Sequence, residues 1–220
     1  MMSYKTLNGL PTKWSNVFPP KKSIASIFID DRRVMNTIHY ADYAVGKDMD
    51  RELAETLAKV QSFGGQLIDA IQLDMIWPDR DQLRKFHDRF DIPIVLQVGE
   101  NAMKECGDDP FLVCDRLKLY GDSVDYVLFD KSMGKGKGMD AVLLSQYVGA
   151  LLSACPQLAP AVAGGLGPTS MDLVAPLIRA YPHISIDAQS KLRANGDAKD
   201  SIDWEMAERY LTQAVALFSK

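Results

Sequence analysis

The chain has 220 residues, 47% of them hydrophobic, a length and an apolar share that suit one domain with a sizeable core. Its 25 basic and 29 acidic residues leave a formal charge of −4, so no overall field attracts nucleic acid or an anionic membrane, and any phosphate recognition has to be local. Cys106, Cys114 and Cys155 are an odd set without metal-type spacing and read as free thiols. With no apolar signal core in MMSYKTLNGLPTKW and no run of membrane-spanning length, a cytoplasmic protein is expected.

Residues 1–23 hold Pro11, Pro19, Pro20 and the basic pair Lys21-Lys22 and show no helical periodicity. The apolar run 23–29 (SIASIFI) predicts the first strand, and 34–45 (VMNTIHYADYAV) fits either a strand with a loop or a short helix. A helix is predicted over 47–63, acidic in its first turn and stopped by Gly64-Gly65. Then come a strand at 70–76, a helix at 78–89 and a strand at 92–98, with Pro93 tolerable only near its start. Residues 101–120 are helical with a break around 107–110, followed by a strand at 125–130, a helix at 140–155 and a strand at 160–163. Residues 169–180 predict a helix kinked at Pro176, 184–188 the last strand and 203–218 the last helix.

Alternation of strand and helix from residue 69 onward is the pattern of parallel βα units, so the fold class expected is α/β. Its expected form is a TIM (β/α)₈ barrel, one domain over residues 1–220. Six strands are firm, beginning at Ser23, Ala70, Ile92, Asp125, Pro160 and Ile184. The other two have to lie in the first 45 residues as degraded N-terminal βα units, or the barrel is closed by another chain. A homo-oligomer is therefore left open.

The stretch LAPAVAGGLGPTS, from Leu158 to Ser170, carries the first chemical signal. A short buried strand meets Gly164 and Gly165, which let a ligand approach the backbone, and Pro168-Thr169-Ser170 starts a helix whose N–H groups suit an anion. A second strand end, HISIDAQS, opens into Gln189, Ser190 and Lys191. Two successive strand ends of this kind match the phosphate site that (β/α)₈ barrels build after strands seven and eight. The competing reading of the glycines is close packing of helix on strand.

These segments resemble the phosphoribosylanthranilate isomerase family. VAGGLGP at 162–168, DAQSKLR at 187–193 and NGDAKD at 195–200 are similar to its LAGGL-x-P, DVSSGVE and PG-x-KD patterns. Upstream, Gln72-Leu73-Asp74-Met75 resembles its QLHG, and Leu128-Phe129-Asp130-Lys131 with GKGKGMD at 134–140 resembles its LLDS…GTGKTFD. The match spans roughly residues 67–220, four motifs in the right order. It implies a barrel enzyme that isomerises a phosphorylated ribose-type substrate by Amadori chemistry, without a cofactor, and with neither nucleic acid nor membrane as partner.

By that resemblance Asp130 is the general acid that protonates the furanose ring oxygen; a strand-end aspartate that merely caps the next turn is the alternative. Gly164, Gly165, Leu166, Gln189, Ser190 and Lys191 make the phosphate cradle, and Lys191 stands where the family has glycine. Asp187 matches a substrate-side aspartate. Gln72 and Asp74, two apart on one strand, share a face, and Asp74 replaces a family histidine. The family's base is a cysteine in a KICGL-like string, whereas Thr6-Leu7-Asn8-Gly9-Leu10 puts Asn8 there, so Asp74 is the residue left to take over. Arg32 or Arg33 is placed to bind an anthranilate-like carboxylate, although an exposed Arg pair is ordinarily just solvated.

Two further functions compete. One is a barrel that still binds a sugar phosphate, has lost catalysis and regulates or scaffolds. The other is a metal-dependent epimerase using His39, Asp42, Asp74 and Asp130, for which His39-x-x-Asp42 is weak spacing. The Gly/Lys loop 134–138 lacks phosphate-loop spacing and reads as a lid.

Overall fold

Six short strands, each followed by helical chain, carry the architecture of this computed structural model, which describes residues 2–12, 19–42, 52–132 and 138–219. They are β1 (Thr37–Ala41), β2 (Ala70–Asp74), β3 (Ile94–Gly99), β4 (Tyr126–Asp130), β5 (Ala159–Ala163) and β6 (Ser185–Asp187). Their order in the sheet is their order in the chain, and pairing is parallel. The α/β expectation from residue 70 onward therefore holds; among the described residues the sheet has six strands, not eight. The contacts divide the chain into two compact units, Met1–Gln97 with Asp115–Tyr126 and Val98–Cys114 with Val127–Lys220.

In the first unit β1 and β2 pair in register, Thr37 beside Ala70 through Ala41 beside Asp74, and Ile71 to Leu73 continue onto Ile94 to Leu96. Ala70, Ile71, Leu73 and Ile94 are fully enclosed, as expected where both faces of a parallel sheet are covered. Helix α2 (Leu53–Gln61) buries Leu53, Ala54, Leu57 and Val60, the i, i+4, i+7 stripe of an amphipathic helix. Helix α3 (Arg80–His87) starts where the Asp79 carboxylate accepts the Gln82 N–H at 3.0 Å, and it buries Leu83 and Phe86. Buried Asn36 ties the chain together just before β1. Its side chain accepts the Ile29 N–H at 3.0 Å and donates to the Ile29 carbonyl at 2.9 Å, while its own N–H donates to the Asp69 carboxylate at 2.6 Å.

In the second unit β4 buries Val127, Leu128 and Phe129, and the Phe129 ring meets Tyr147 at 5.4 Å. Tyr147 lies on α6 (Ala141–Ala154), capped by Asp140, whose carboxylate accepts the Leu143 N–H at 3.0 Å. Burial and the nearby Asp108 and Asp109 push the Tyr147 hydroxyl up to about 12. The shorter helices α4 (Glu100–Glu105) and α5 (Pro110–Lys118) are separated at Gly107, whose φ of 65° is in the left-handed region. Helix α8 (Trp204–Phe218) is capped by Asp203, which accepts the Met206 N–H at 3.0 Å. All three cysteines are free and buried. No described helix is long and apolar enough to cross a membrane.

Two expectations need correction. Residues 23–29 are not a strand: 3₁₀ turns occupy Lys21–Ser23 and Ala25–Ile27. Entry through Pro20 and the Ser26 hydroxyl donating to the Ser23 carbonyl at 2.8 Å coil this apolar run, and Ile27 and Ile29 stay exposed. The strand lies later, in the segment that also fitted a helix, as β1. Residues 169–180 form a 3₁₀ turn, Met171–Leu173, then α7 (Ala175–Ala180). Pro176 sits in the first turn of α7, where its missing N–H costs nothing, so it begins a helix instead of kinking one. The beginning of the helix expected from residue 47 and most of the expected lid at 134–138 lie outside the described residues.

Replacing Asn36 by Ala should lower the unfolding free energy by about 1–3 kcal/mol, since it strands the Ile29 amide groups it satisfies. Equilibrium urea denaturation measures this, and an unchanged midpoint would mean that the tie contributes nothing.

Candidate active site

In the second unit the end of β5 passes directly into Gly164 and Gly165, with φ of 134° and 63°. Both values are in the region that only glycine occupies without strain, so this turn is closed to side chains. The Ser170 hydroxyl closes it by donating to the Gly165 carbonyl at 2.8 Å, while Leu166 anchors it in the core. The next strand end is adjacent: β6 pairs Asp187 with Ala163, and Gln189 leads into a 3₁₀ turn, Ser190–Leu192, with Ser190 buried. The two loops touch. A Cβ on Gly167 would stand 2.6 Å from the Lys191 Cβ and 2.9 Å from the Lys191 carbonyl oxygen. Lys191 itself is exposed, its ammonium against Gly196. The loops that hold the six residues expected to cradle a phosphate are thus brought together, and the tight packing is at Gly167, outside those six and loop against loop.

Asp130 ends β4 and is buried. Its Oδ1 accepts the Ser132 N–H at 2.9 Å and the Ser132 hydroxyl at 2.6 Å, so the carboxylate does hold the turn that follows. The same Ser132 flanks Gly164, its Oγ 3.8 Å from where a Cβ there would lie. Asp130, Ser132 and the glycine turn therefore form one neighbourhood. Ser132 escaped the sequence reading, although Asp-x-Ser after a strand is the pattern of such a turn. Asp187 ends β6 near Tyr210; burial first, then the Asp187 charge, drives the Tyr210 hydroxyl far above its usual range. Arg193 was also missed. It is buried and donates to the Asp200 carbonyl, closing the loop that holds NGDAKD, and burial lowers its basicity against the pull of Asp200 and Asp197.

In the first unit the parallel register sets His39 beside Gln72 and Ala41 beside Asp74. Gln72 donates to Gln97 at 2.9 Å, and both are buried. The Nε2 of His39 lies 3.5 Å from Asp74 Oδ2, near enough for charge attraction but without a hydrogen bond. Tyr40 points to the other face and donates to Asp42 at 3.1 Å; burial, then Asp42, drives its hydroxyl far up. Arg32 is exposed in the turn that enters β1, away from any strand's C-terminal end, and Arg33 is engaged with Asp31 at 2.6 Å, holding that carboxyl well below its usual range. Among the described residues no group of three or more His, Cys, Asp or Glu stands where it could hold a metal ion.

Asn8 is not at a strand end. It caps the short helix α1 (Tyr4–Leu7), exposed, its amide donating to the Tyr4 carbonyl at 2.9 Å. The place beside β1 belongs to Met2, which donates to the His39 carbonyl at 2.6 Å and accepts from the Ala41 N–H at 2.8 Å. The equation of Asn8 with the family's base is therefore withdrawn.

Strand-end loops on parallel βα units define the class: an α/β protein whose polar residues gather where strands finish. More particularly, its fold is that of the phosphoribosylanthranilate isomerases. A monomer generated from the dimeric enzyme of Thermotoga maritima superposes with a TM-score of 0.54 at 16% identity, covering 90% of this chain and 81% of that one. The enzyme of Thermococcus kodakaraensis superposes with 0.52 at 17% identity, covering 88% and 80%. No protein-family model matches the sequence, and no curated protein does. At these identities what is shared is the fold, in divergent form.

A side chain at Gly165 should cost roughly 1–2 kcal/mol through its left-handed backbone. Thermal denaturation of Gly165→Ala beside Gly138→Ala, where the nearest atom to a new Cβ is 3.8 Å away, separates that strain from mere loss of glycine. Equal melting temperatures for the two variants would contradict it.

Proposed function

We propose that this chain is a phosphoribosylanthranilate isomerase-like enzyme that acts on a phosphorylated ribose-type substrate, as a cytoplasmic single-domain barrel whose first βα units are reduced. The observation that carries this is the contact of Gly167 with Lys191, which draws the loops after the last two strands into one backbone-lined turn beside Asp130 and Ser132. The fold held in common with two isomerases of that name and the order of four sequence motifs support the same reading.

In this reading Gly164, Gly165, Leu166, Gln189 and Ser190 offer N–H groups to the phosphate, with Lys191 adding charge at the rim. Asp187, at the end of β6, is a polar contact on the substrate side. Asp130 is the general acid: it gives its proton to the furanose ring oxygen, and the sugar opens as the C1–O bond breaks. Ser132 keeps that carboxyl in place. Asp74, at the end of β2 in the first unit, is the residue proposed as base in place of the family's cysteine.

A second reading has a specific observation in its favour. The Asp130 carboxylate accepts two hydrogen bonds from Ser132, which suffices to explain it as a turn-holding residue in a barrel that binds sugar phosphate without turning it over.

Two measurements decide. Calorimetric titration with ribose 5-phosphate should give a saturable heat that Gly165→Val abolishes; no heat at all removes the phosphate site. Turnover of phosphoribosylanthranilate should fall by about 10²–10⁴ in Asp130→Asn with phosphate affinity kept. Phosphate binding without turnover by the wild type would favour the second reading.

A further inference from the structure

The second unit encloses a positive charge that has no counter-charge. Arg193 directly follows the turn Ser190–Leu192 and is 6% exposed. Its guanidinium donates to the Asp200 carbonyl, and its Nε is buried without a partner. A buried guanidinium ordinarily faces a carboxylate, because its desolvation is otherwise uncompensated. Two acidic residues share its loop, and both are engaged elsewhere. The Asp200 carboxylate accepts the Asn195 amide at 3.0 Å, and the Asp197 carboxylate accepts the Lys199 N–H at 2.9 Å. They pull on Arg193 without forming an ion pair with it. The bond to the Asp200 carbonyl explains why the loop is closed, but a neutral amide would close it as well.

A second cation stands two residues away. Lys191 is exposed, its ammonium against Gly196 of the same loop, again with no carboxylate partner among the described residues. The chain as a whole carries a formal charge of −4, so this local excess of positive charge runs against its overall balance. The turn that bears both cations is fixed, since the Asp203 N–H at the start of α8 donates to the Leu192 carbonyl at 2.9 Å.

We infer that Arg193 sets the charge preference of the site at the end of β6, making the turn select a dianionic phosphomonoester over a monoanion of the same shape. The inference rests on the phosphate reading of this turn, and every residue it uses lies in the second unit. Backbone N–H groups grip an anion's oxygens but carry no net charge, so alone they separate one negative charge from two only weakly. A fixed guanidinium does separate them, because its attraction scales with the charge of the ligand. It acts through its field, the enclosed Nε being out of a ligand's reach. Three residues of chain from Ser190 to Arg193 span at most about 10 Å. At that range and an effective dielectric of about 20, the second negative charge gains about tenfold in affinity. Exposed Lys191 is screened by solvent and adds less.

The test is calorimetric titration of the full chain at pH 8 with two ligands of matching shape. Ribose 5-phosphate is a dianion there, its second ionisation falling at about pH 6, and ribose 5-sulfate is a monoanion. The wild type should bind the phosphate at least about tenfold more tightly than the sulfate. Arg193→Lys, which keeps the charge, should hold that ratio within about twofold, whereas Arg193→Gln, which keeps a donor for the Asp200 carbonyl and drops the charge, should cut it about tenfold. A reading that needs no variant is the Arg193 Nε–H resonance of the wild type, which should shift on adding ribose 5-phosphate and move less with the sulfate. Equal wild-type affinity for the two ligands, a resonance that neither moves, or the same ratio in the Gln and Lys variants overturns the inference and leaves the phosphate site standing. Arg193 then only closes its loop. A wild type that binds neither ligand removes the phosphate reading and this inference with it.

Discussion

Parallel pairing is the constraint on which everything else here depends. Strands that run the same way cannot be joined by a tight turn, so each must be followed by a crossover that returns the chain to the start. Residues that end strands consequently gather at one end of a sheet. In the first unit this sets Asp74 at the close of β2, with His39 two places short of the close of β1. In the second it sets Asp130, the Gly164 turn and Asp187 at the ends of β4, β5 and β6. The chemistry of the chain is confined to what these few positions carry.

What holds those positions is buried and specific, not the ion pairs of the surface. Arg84–Asp81, Lys104–Glu100 and Lys118–Asp115 are short, at 2.6–2.8 Å, but exposed, and such pairs contribute roughly 0–1 kcal/mol each. The enclosed side chains of Leu57, Ile71, Leu83, Phe86 and Phe129 are each worth about 1.5–3 kcal/mol of transfer from water. The aspartate caps at Asp79, Asp140 and Asp203 add about 1 kcal/mol apiece and fix where each helix starts, hence how long each preceding loop is.

From residue 70 onward the fold was legible because its signals are local: short apolar runs of three to six residues, three of the following helices opened by a capping aspartate. The N-terminal part was not, because an apolar run such as SIASIFI has the same composition coiled or extended, and the coil is held by local bonds such as Ser26 hydroxyl to Ser23 carbonyl. The loop glycines were legible for a related reason, since a positive φ leaves few alternatives to glycine. His39 was visible only as a poorly spaced metal ligand. Its pairing with Asp74 depends on the register of two strands more than thirty residues apart in sequence, which no spacing along one strand reports. Ser132 and Arg193 were hidden for the opposite reason: each looks like ordinary loop polarity until its partner, the Asp130 carboxylate or the Asp200 carbonyl, is known.

The tight seat of Gly167 on Lys191 bears on which substitutions this chain tolerates. A methyl group at 167 would collide with backbone as well as side chain, so no compensating change at residue 191 alone makes room for it. Gly167 is then kept by packing whether or not a phosphate ever arrives, while Gly164 and Gly165 are kept by their own backbone angles. Substitution at any of the three is therefore opposed by the fold itself, independently of what the turn binds. The motif in the sequence thus reports the shape of a turn before it reports any chemistry done there.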